Sequence, residues 1–436
     1  MVWTEFTRTW QKNFISTGGI EGVETMREIF SSTLISFALC VSLVVMPTAA
    51  DGDSFARAYE DTLTVYGNAN MDDIIDGDDI EYVQGIIDGT EEETQFADAN
   101  YDGQIDEDDI AQIELIIAED EDYLIVLDMD NRTVTVPMPV ERIVATGHGS
   151  IHTLMQLGAE DKIVGCSHPD QWSAIPYAAS ELDDLPDTGG PTKTNFNVEL
   201  AVSLKPDVIF ACSSGGGFGD VDAIQERSQV PTIAVTNAGY LWFVDELRII
   251  GAITGNDDKA RDLIAYTKEQ IDEVAEITSK IPDEDKSTVF ACGCCKKLTT
   301  SCGTTSEINW AGGSSVEGAT WGQQVSKEQI IKWNPDVIII QWASTEWIEE
   351  VLSDPVLQNV NAVKNGRVYS TIGGYWGDAP LDQHMASVYY LAKLFYPDEF
   401  EDLDVEEESN EIWEHFYGVD GLYTDMADEY NFYRWD

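Results

Sequence analysis

The sequence predicts an α/β protein of two lobes joined by one long helix and preceded by a small, all-α module. Three observations predict this arrangement. Short apolar runs alternate with helical patterns throughout residues 123–436. One uninterrupted helical pattern, Asp257–Lys280, divides this body into two similar halves. Upstream of the body, an acidic pattern occurs twice, once in Asn68–Asp79 and again in Asp98–Asp109. These two segments are called the first loop and the second loop below.

The N-terminal region, residues 1–50, has the pattern of a secretory signal peptide. Arg27 precedes an apolar run, Leu34–Met46, and the small residues of "PTAA" follow, with cleavage expected after Ala50. The run is too short to span a membrane, and translation from Met26 is an alternative start. Cys40 lacks the small residue that a lipoprotein signal places before its cysteine. We therefore expect a secreted chain with no lipid anchor and no membrane insertion after cleavage.

The second loop has the ligand spacing of an EF-hand calcium loop. Oxygen ligands are required at positions 1, 3, 5, 9 and 12, with a backbone carbonyl at 7 and a turn-forming glycine at 6. Gly103 occupies position 6. The ligand positions are filled by Asp98, Asn100, Asp102, Gln104, Asp106 and Asp109. The alternative interpretation is an acidic surface loop without an ion.

The first loop repeats this spacing with two differences. Its ligand positions are filled by Asn68, Asn70, Asp72, Ile74, Asp76 and Asp79. Position 1 is Asn where the second loop has Asp, and position 6 is Asp73 where the second loop has glycine. A residue with a Cβ adopts the left-handed conformation only at a cost. The sequence therefore predicts a strained Asp73 and a lower calcium affinity at the first loop.

One apolar-striped helix follows each loop, Ile80–Ile87 and Ile110–Ile117. Two half EF-hands with the pattern DxNxDGxIDxxD resemble a type I dockerin over Tyr66–Ala118. The resemblance implies a module in residues 51–122 that two calcium ions fold and that binds a cohesin domain on a partner protein. It also implies that the two positions after the ninth ligand of each loop face that partner. These positions are Gly77, Asp78, Glu107 and Asp108, and a solvated acidic surface is an equal alternative for them.

The formal net charge is −57, from 81 acidic and 24 basic residues. Such a charge repels nucleic acid and anionic membranes, and it keeps a chain soluble where salt screens its self-repulsion. We therefore expect no nucleic-acid partner. The acidic C-terminal tail is rich in Trp, Tyr and Phe, which predicts that it packs against the body.

The body divides into an N-terminal lobe (123–255), a linking helix (256–282) and a C-terminal lobe (283–436). The runs "PDVIFACSS", "PTIAVTN", "STVFACG" and "PDVIIIQWA" are continuously apolar, as in parallel strands that helices cover on both faces. The linking segment contains no glycine or proline before Pro282 and predicts a rigid helix of about 35 Å.

The segments "VERIVA", "NVELAVSLKPDVIF" and "WGQQVSKEQIIKWNPDVIII" look like the periplasmic-binding-protein family for iron complexes and cobalamin. The resemblance covers Asn131–Pro397. It implies two Rossmann-like lobes joined by one long helix, the class III substrate-binding-protein architecture. It also implies an extracellular solute-binding protein, and no enzyme, that captures a metal chelate of the siderophore–iron, corrinoid or haem class and delivers it to an ABC transporter permease.

Ligands of open parallel sheets bind beyond the carboxyl ends of the strands. The loops at those ends are rich in aromatic side chains, which suit a bulky, partly apolar cargo. The alternative for each single aromatic residue is that it packs in the hydrophobic core. The resemblance implies a tryptophan in the binding cleft at the position of Trp321. The candidate ligand-binding residues are His148, Ser150, His152, Trp172, Ser213, Ser214, Phe218, Tyr240, Lys297, Trp321, Trp342, Tyr375 and Trp376.

Two residue types in these loops leave alternatives open. His148 and His152 fit metal coordination, a hydrogen bond to a ligand carboxylate, or helix capping. Four cysteines crowd the region after "STVFA", and the leading expectation is a disulfide of Cys292 or Cys294 with Cys302. A thiolate metal site or free cysteines are the alternatives.

Glu199 and Glu328 occupy matching positions before "PDVI" in the two lobes. In the family that the body resembles, one acidic side chain from each lobe docks on arginines of the permease. The alternative is an ordinary exposed carboxylate on each helix.

Taken together, these patterns predict a secreted binding protein whose calcium module attaches it to a cohesin domain of a scaffold or surface protein. Removing calcium is then expected to unfold only the module and to abolish cohesin binding, while ligand binding by the body survives. The alternatives are a metal-cluster or cysteine-dependent redox enzyme on a similar two-lobed fold, or a binder of nickel or cobalt chelates. No catalytic motif such as G-x-S-x-G, a P-loop or H-E-x-x-H is present in the sequence.

Overall fold

A computed structural model describes residues 62–167, 179, 182, 184–189, 196–212, 221–235, 241–293, 298–303, 305–341, 345–370 and 381–430. The expected signal peptide lies outside these residues. Within them, no helix combines the length and the apolar character that crossing a membrane requires.

The N-terminal module consists of two loop-and-helix units. Helix α1 (Gly77–Asp88) follows the first loop and α2 (Glu107–Ile117) follows the second. Both helices begin with a capping box, because Asp76 and Asp106 accept N–H groups of the first turn while Asp79 and Asp109 bond back to the cap residue. The helices pack on each other around a small core of Ala69, Val83, Ala97, Ala99 and Ile113.

An antiparallel hairpin connects the module to the body. Its strands are β1 (Tyr123–Leu127) and β2 (Thr133–Pro137). The carboxylate of Asp128 in the turn accepts the N–H of Ala234 at 3.0 Å and the N–H of Arg132 at 2.9 Å. These bonds fasten the hairpin turn to the sheet of the N-terminal lobe.

The N-terminal lobe contains a sheet of four parallel strands in the order β4-β3-β5-β6. They are β3 (Ile143–Ala145), β4 (Ile163–Cys166), β5 (Val208–Cys212) and β6 (Thr232–Val235). All residues of β3, β5 and β6 are buried, which explains the uninterrupted apolar runs. The described helices of this lobe are α3 (His148–Gln156), α4 (Val198–Ser203), α5 (Val221–Ser228) and α6 (Leu241–Thr254).

The predicted linking helix is confirmed as α7, Asp257–Thr278, with 22 residues and a length of about 33 Å. Its buried stripe includes Leu263, Ile264, Ile271 and Val274. Helix α7 packs on α6 and, further along the chain, on α12 of the C-terminal lobe.

The C-terminal lobe has a mixed sheet in the order β10-β8-β7-β11-β12, with β9 beside β7. Strands β7 (Thr288–Cys292), β11 (Val337–Ile340) and β12 (Val368–Ser370) are parallel, as the apolar runs predict. Strands β8 (Thr300–Cys302) and β10 (Trp321–Gln324) are antiparallel, which the sequence analysis did not foresee. Strand β9 is Ser314–Ser315. The described helices are α8 (Ser306–Trp310), α9 (Lys327–Trp333), α10 (Thr345–Ser353), α11 (Asn361–Lys364) and α12 (Leu381–Phe395).

Two further helices follow, α13 (Val405–Tyr417) and α14 (Leu422–Tyr430). Helix α13 packs on α12, and the side chains of Trp413, Phe416 and Tyr423 are 1%, 2% and 3% exposed. The expectation that the acidic aromatic tail packs against the body is confirmed for these residues.

Candidate functional site

The candidate site lies where the parallel strands of each lobe end, because ligands of such sheets bind beyond the carboxyl ends of the strands. Helices α3, α6, α10 and α12 each follow a strand of these sheets in sequence. Most predicted ligand-binding residues lie outside the described part of the chain: Trp172, Ser213, Ser214, Phe218, Tyr240, Lys297, Trp342, Tyr375 and Trp376.

The turn between β3 and α3 packs closely on the end of β5. Gly147 has φ +89°, and a Cβ added there would lie 3.0 Å from Cβ of Cys212. Its N–H donates to Oγ of Ser167 at 3.1 Å, and that hydroxyl donates to the carbonyl of Gly189 at 3.0 Å. These contacts hold the N-terminus of α3 at the strand-end edge, where its unpaired N–H groups favour negative charge.

Three predicted ligand-binding residues lie on α3. The helix begins at His148, whose side chain is outside the description. Ser150 is 1% exposed and donates its hydroxyl to the carbonyl of Thr146 at 3.0 Å. His152 is 3% exposed, and its Nδ1 lies 2.8 Å from the hydroxyl of Tyr417 on α13. Ser150 and His152 thus have partners in the protein interior.

A buried polar network continues from His152 between the two lobes. Nε2 of Gln156 donates to Oδ1 of Asp382 at 2.8 Å, and the hydroxyl of Tyr417 donates to the same oxygen at 3.1 Å. Burial raises the pKa of Asp382 to about 7, and the hydrogen bond from Tyr417 opposes the shift. The network joins α3 of the N-terminal lobe to α12 and α13.

Among the candidate tryptophans, Trp321 is the one that lies within the described residues, and its side chain is 75% exposed. It begins β10, opposite Cys302 in β8. The turn after β8 approaches it closely, because a Cβ added to Gly303 (φ +76°) would lie 2.8 Å from the N atom of Trp321. The antiparallel pair β8–β10 therefore holds a large, flat side chain at the edge of the C-terminal sheet.

Gln341 is a strand-end residue that the sequence analysis missed. It directly follows β11, its N–H donates to the carbonyl of Cys292 at 2.8 Å, and its Oε1 lies 3.8 Å from Sγ of Cys302. Gln341 could have been found as a polar residue at the end of an apolar run, but the sequence analysis selected the aromatic Trp342 beside it.

The expected disulfide between Cys292 and Cys302 is wrong, because Cys292 has a free, fully buried thiol. Burial, followed by the proximity of Cys302, raises the pKa of Cys292 well above its usual range, so this thiol stays protonated. The other expected pairing involves Cys294, which lies outside the described residues.

In the second loop, the carboxylates accept N–H groups of the loop itself. Asp98 accepts from Asp102 at 3.0 Å and from Gly103 at 2.9 Å. Asp109 is fully buried and accepts from Asn100 at 3.1 Å and from Asp106 at 2.8 Å. Gly103 has φ +88°, as a turn at position 6 requires.

In the first loop, Asp79 occupies the place of Asp109 and accepts the N–H groups of Asn70 at 3.1 Å and Asp76 at 2.8 Å. Burial, with a smaller contribution from Asp72, raises the pKa of Asp79 to about 6. The predicted left-handed conformation of Asp73 is wrong, because its φ is not positive. The predicted strain at position 6 is therefore absent.

The donor set of both loops fits a hard cation, since every predicted ligand atom is an oxygen. Oδ1 of Asn68 is buried and has no hydrogen-bond partner, as expected of an atom whose partner is an ion. Across the described ranges, however, no three His, Cys, Asp or Glu side chains stand close enough together to hold a metal ion.

Glu199 and Glu328 lie in the first turns of α4 and α9, each of which precedes a parallel strand. The Glu199 side chain is 83% exposed and lies 3.6 Å from Nη2 of Arg227. Glu328 is exposed, and hydrogen bonds from its own N–H and from Ser326 lower its pKa. The two lobes thus present one carboxylate each from equivalent positions.

Comparison with known proteins identifies relatives of the body. The family model described as "Periplasmic binding protein" matches residues 143–372. The molybdate-binding protein MolA of Haemophilus influenzae is 26% identical over 329 residues, covering 67% of this chain and 90% of that protein. The petrobactin-binding protein YclQ of Bacillus subtilis is 26% identical over 269 residues, covering 57% and 80%.

The fold is also found in solved structures. An ABC transporter solute-binding protein from Sulfurospirillum deleyianum superposes with a TM-score of 0.56 at 21% identity. The match covers 68% of this chain and 95% of that one, and it shows the shared two-lobed α/β fold.

Proposed function

This chain belongs to the periplasmic binding protein family, and we propose that it captures a metal chelate and delivers it to an ABC importer. Members of this family are solute-binding proteins that work with a transporter permease. The observation that carries the proposal is the family match, which extends over both lobes and the linking helix. A cargo bound at the strand-end edges of the two lobes contacts both of them and links its capture to their relative position.

The proposed cargo is a metal chelate of the siderophore–iron, corrinoid or haem class. Two relatives bind molybdate and petrobactin according to their names, and this supports a metal-related cargo. The net charge of −57 repels anions at long range, so binding requires local positive potential. The N-termini of helices that follow parallel strands supply it, at roughly 0.3–1 kcal/mol each.

Trp321 has a direct role in this proposal, because an indole ring that is 75% exposed offers a flat face to a planar or macrocyclic chelate. We expect thermal-shift and calorimetric screens over ferric siderophores, cobalamin, haem, nickel chelates and molybdate to identify a stabilising ligand. Trp321→Ala should then weaken binding by roughly tenfold, in line with one aromatic contact of about 1.5 kcal/mol.

Trp333→Phe is the matched control, since the Trp333 indole N–H donates to the carbonyl of Glu317 at 3.0 Å and the ring packs on Phe290. Wild-type affinity in Trp321→Ala would refute the role of this ring. The absence of any stabilising ligand in the screen would count against the metal-chelate class.

The module is proposed as a calcium-dependent tether to a cohesin domain. The second loop would hold an ion through Asp98, Asn100, Asp102, Asp106, Asp109 and the carbonyl of Gln104, and the first loop through its equivalent residues. A bound ion would draw these oxygen ligands together, neutralise the carboxylates and stabilise both loops. Ile87, Leu115 and Ile117 are 38–43% exposed near the ends of α1 and α2 and would supply apolar contact area.

A cohesin-binding assay in calcium and in excess chelator tests the tether. We expect calcium-dependent binding that Leu115→Asp abolishes and that Val202→Asp leaves unchanged, because Val202 is similarly exposed (39%) but lies on α4. Binding that ignores calcium, or that survives Leu115→Asp, would rule out this surface.

The second candidate function is a cysteine-dependent redox enzyme. It is less well supported, because the relatives are binding proteins and the thiol of Cys292 is fully buried with a raised pKa. Thiol titration and metal analysis of the purified protein distinguish the two functions, since a bound cluster would contain iron or another transition metal without added cargo.

A further inference from the structure

The two acidic loops differ at the peptide bond between positions 5 and 6. In the second loop, the N–H groups of Asp102 and Gly103 point at the carboxylate of Asp98. In the first loop, the carbonyl of Asp72 points inward instead. It accepts the amide of Asn68 at 2.5 Å, the hydroxyl of Thr62 at 2.6 Å and the N–H of Leu63 at 3.2 Å. The Asp72–Asp73 peptide is therefore reversed relative to its equivalent in the second loop.

Asn68 and Asp73 make this reversal possible together. An inward carbonyl requires a donor at position 1, which an asparagine amide provides and a carboxylate does not. The reversed peptide also removes the need for a left-handed residue at position 6, so Asp73 fits without strain. Because Nδ2 of Asn68 is held by Thr62, Leu63 and Asp72, its buried Oδ1 remains without a protein partner and available to a cation.

The side chain of Asp73 is thereby directed to the N-terminal lobe. Its Oδ1 lies 2.9 Å from Nε of Arg248, and Nη2 of Arg248 donates to its Oδ2 at 3.2 Å. Arg248 is in the middle of α6 and is only 3% exposed, and Asp245 pairs with its Nη1 at 3.0 Å. A buried guanidinium depends strongly on its carboxylate partners, because an unpaired charge there is costly.

The segment before the first loop is also part of the lobe. The N–H of Tyr66 donates to the carbonyl of Ile125, and the N–H of Leu127 donates to the carbonyl of Thr64, both at 2.9 Å. Residues 64–66 therefore pair with β1 through an antiparallel bridge, in which Val65 lies opposite Val126. Leu63 and Val65 belong to the same apolar core as β3, α3 and α6. The first loop is thus attached to the lobe through the segment that precedes it and through Asp73 at its sixth position.

We propose that the first loop is a structural cation site of the N-terminal lobe, at which bound calcium holds Asp73 against Arg248 and thereby stabilises α6. This inference rests on the proposed calcium binding, but it assigns the two loops different roles. Calcium at the first loop stabilises the N-terminal lobe, and calcium at the second loop stabilises the module alone. By linkage, Arg248 in turn raises the calcium affinity of the first loop.

Hydrogen–deuterium exchange of the full chain, in calcium and in excess chelator, tests the proposal. We expect saturating calcium to slow amide exchange in α6 by about tenfold or more, because openings that release the ion become rarer as calcium exceeds its dissociation constant. Amides of β11 in the other lobe serve as the internal reference.

Asp79→Asn and Asp109→Asn are the matched pair of variants, since each removes the charge at position 12 of one loop. Calcium should lose its effect on α6 in Asp79→Asn and keep it in Asp109→Asn. Arg248→Met should still bind calcium in calorimetry, but with weaker affinity at one site and without protection of α6. Arg248→Gln, which removes the charge but keeps a polar side chain, provides the same comparison if Arg248→Met does not fold.

Three outcomes overturn the proposal. Calcium that binds the wild-type chain without slowing exchange in α6 refutes the coupling while leaving the tether intact. Protection that survives Arg248→Met or Arg248→Gln excludes Arg248 as the connection. A wild-type chain that binds no calcium at all refutes both this inference and the proposed calcium module.

Discussion

Asp382 is a fully buried carboxyl group between the lobes. Its Oδ1 accepts hydrogen bonds from Gln156 and Tyr417, whereas its Oδ2 is buried without a partner. Since its pKa in the folded protein is about 7 and the ordinary value is 3.8, the folded protein binds this proton more tightly than the unfolded chain. Its contribution to stability is therefore complete below about pH 4 and is lost as the pH rises through about 7.

Asp382→Asn should remove this pH dependence. We expect the difference in free energy of unfolding between variant and wild type to shift in favour of the variant between pH 4 and pH 8, by up to about 4 kcal/mol, at about 1.4 kcal/mol per pKa unit. Urea unfolding across that range measures it. Asp398→Asn, at an exposed position, is the control. A constant difference at all pH values would show that Asp382 does not titrate in this window.

The places of single residues were predictable from the sequence where they depend only on neighbouring residues in the chain. The placement of Glu199 and Glu328 in helices that precede parallel strands follows from the sequence alone. The ligand roles in the two loops stay predictions. Asn68 and Asp73 each indicated a weaker loop in the sequence. In the structure the Asn68 amide holds the reversed peptide between positions 5 and 6, and the reversal allows Asp73 to occupy position 6 without a positive φ. The contact of His152 with Tyr417 joins residues 265 positions apart, and no pattern in either segment announces it.

Helices α6 and α7 pack closely through small residues. A Cβ added to Gly251 on α6 would lie 2.8 Å from Cβ of Ala260 on α7, with backbone of Asp257 at 3.3 Å. No flexible side-chain end is available to move aside, so one helix has to shift. Because α7 is the linking helix, this contact also sets where the linking helix leaves the N-terminal lobe.

Gly251→Ala should destabilise the protein by about 1–3 kcal/mol through overpacking. Gly77→Ala is the matched control, because a Cβ there meets nothing within 4 Å and Gly77 is the first residue of α1. Replacing glycine by alanine in a helix at such a site is neutral or stabilising by up to about 1 kcal/mol. Chemical denaturation compares the two, and equal effects would mean that the α6–α7 contact relaxes freely.

At the level of elements, the sequence predicted those with strong apolar patterns. Strands β5, β6, β7 and β11 are nearly or fully buried, and α7 has a regular apolar stripe. The antiparallel pair β8–β10 escaped prediction because its strands are short and every residue of β10 is exposed. A strand without a buried face has no periodicity to detect, although this pair presents Trp321.

In a molecule with a net charge of −57, recognition by another protein depends on the charges close to the contact surface. At physiological salt, charges interact over about 8 Å, so most carboxylates do not reach a docked partner. Glu199 and Glu328 differ from the rest by standing at equivalent places on the two lobes. Under the proposed docking, a permease that contacts both carboxylates senses the distance between the two lobes.

Glu199→Ala with Glu328→Ala should abolish stimulation of the importer's ATPase activity in proteoliposomes, while cargo affinity stays within about twofold of the wild type. Each single variant should retain part of the stimulation. Glu284→Ala removes one charge from an exposed turn beyond the linking helix and serves as the control. Full stimulation by the double variant would exclude these two carboxylates as the docking contacts.

The two-lobed architecture was predictable because buried parallel strands and a long linking helix both leave unmistakable patterns. How the module sits on the body was not, since Asp73 and Arg248 are 175 positions apart and each is unremarkable in its own segment. Contacts group all described residues in one compact unit, Gly52–Asp436.

The pairing of residues 64–66 with β1 has a consequence for any shortened form of this protein. A chain that begins at Tyr123 loses the segment that covers the outer side of β1, and the carbonyl of Ile125 and the N–H of Leu127 become open to solvent. Such an uncovered border is a template on which neighbouring copies can add their own strands. By covering this edge of β1, residues 64–66 of the N-terminal module also protect the N-terminal lobe from self-association.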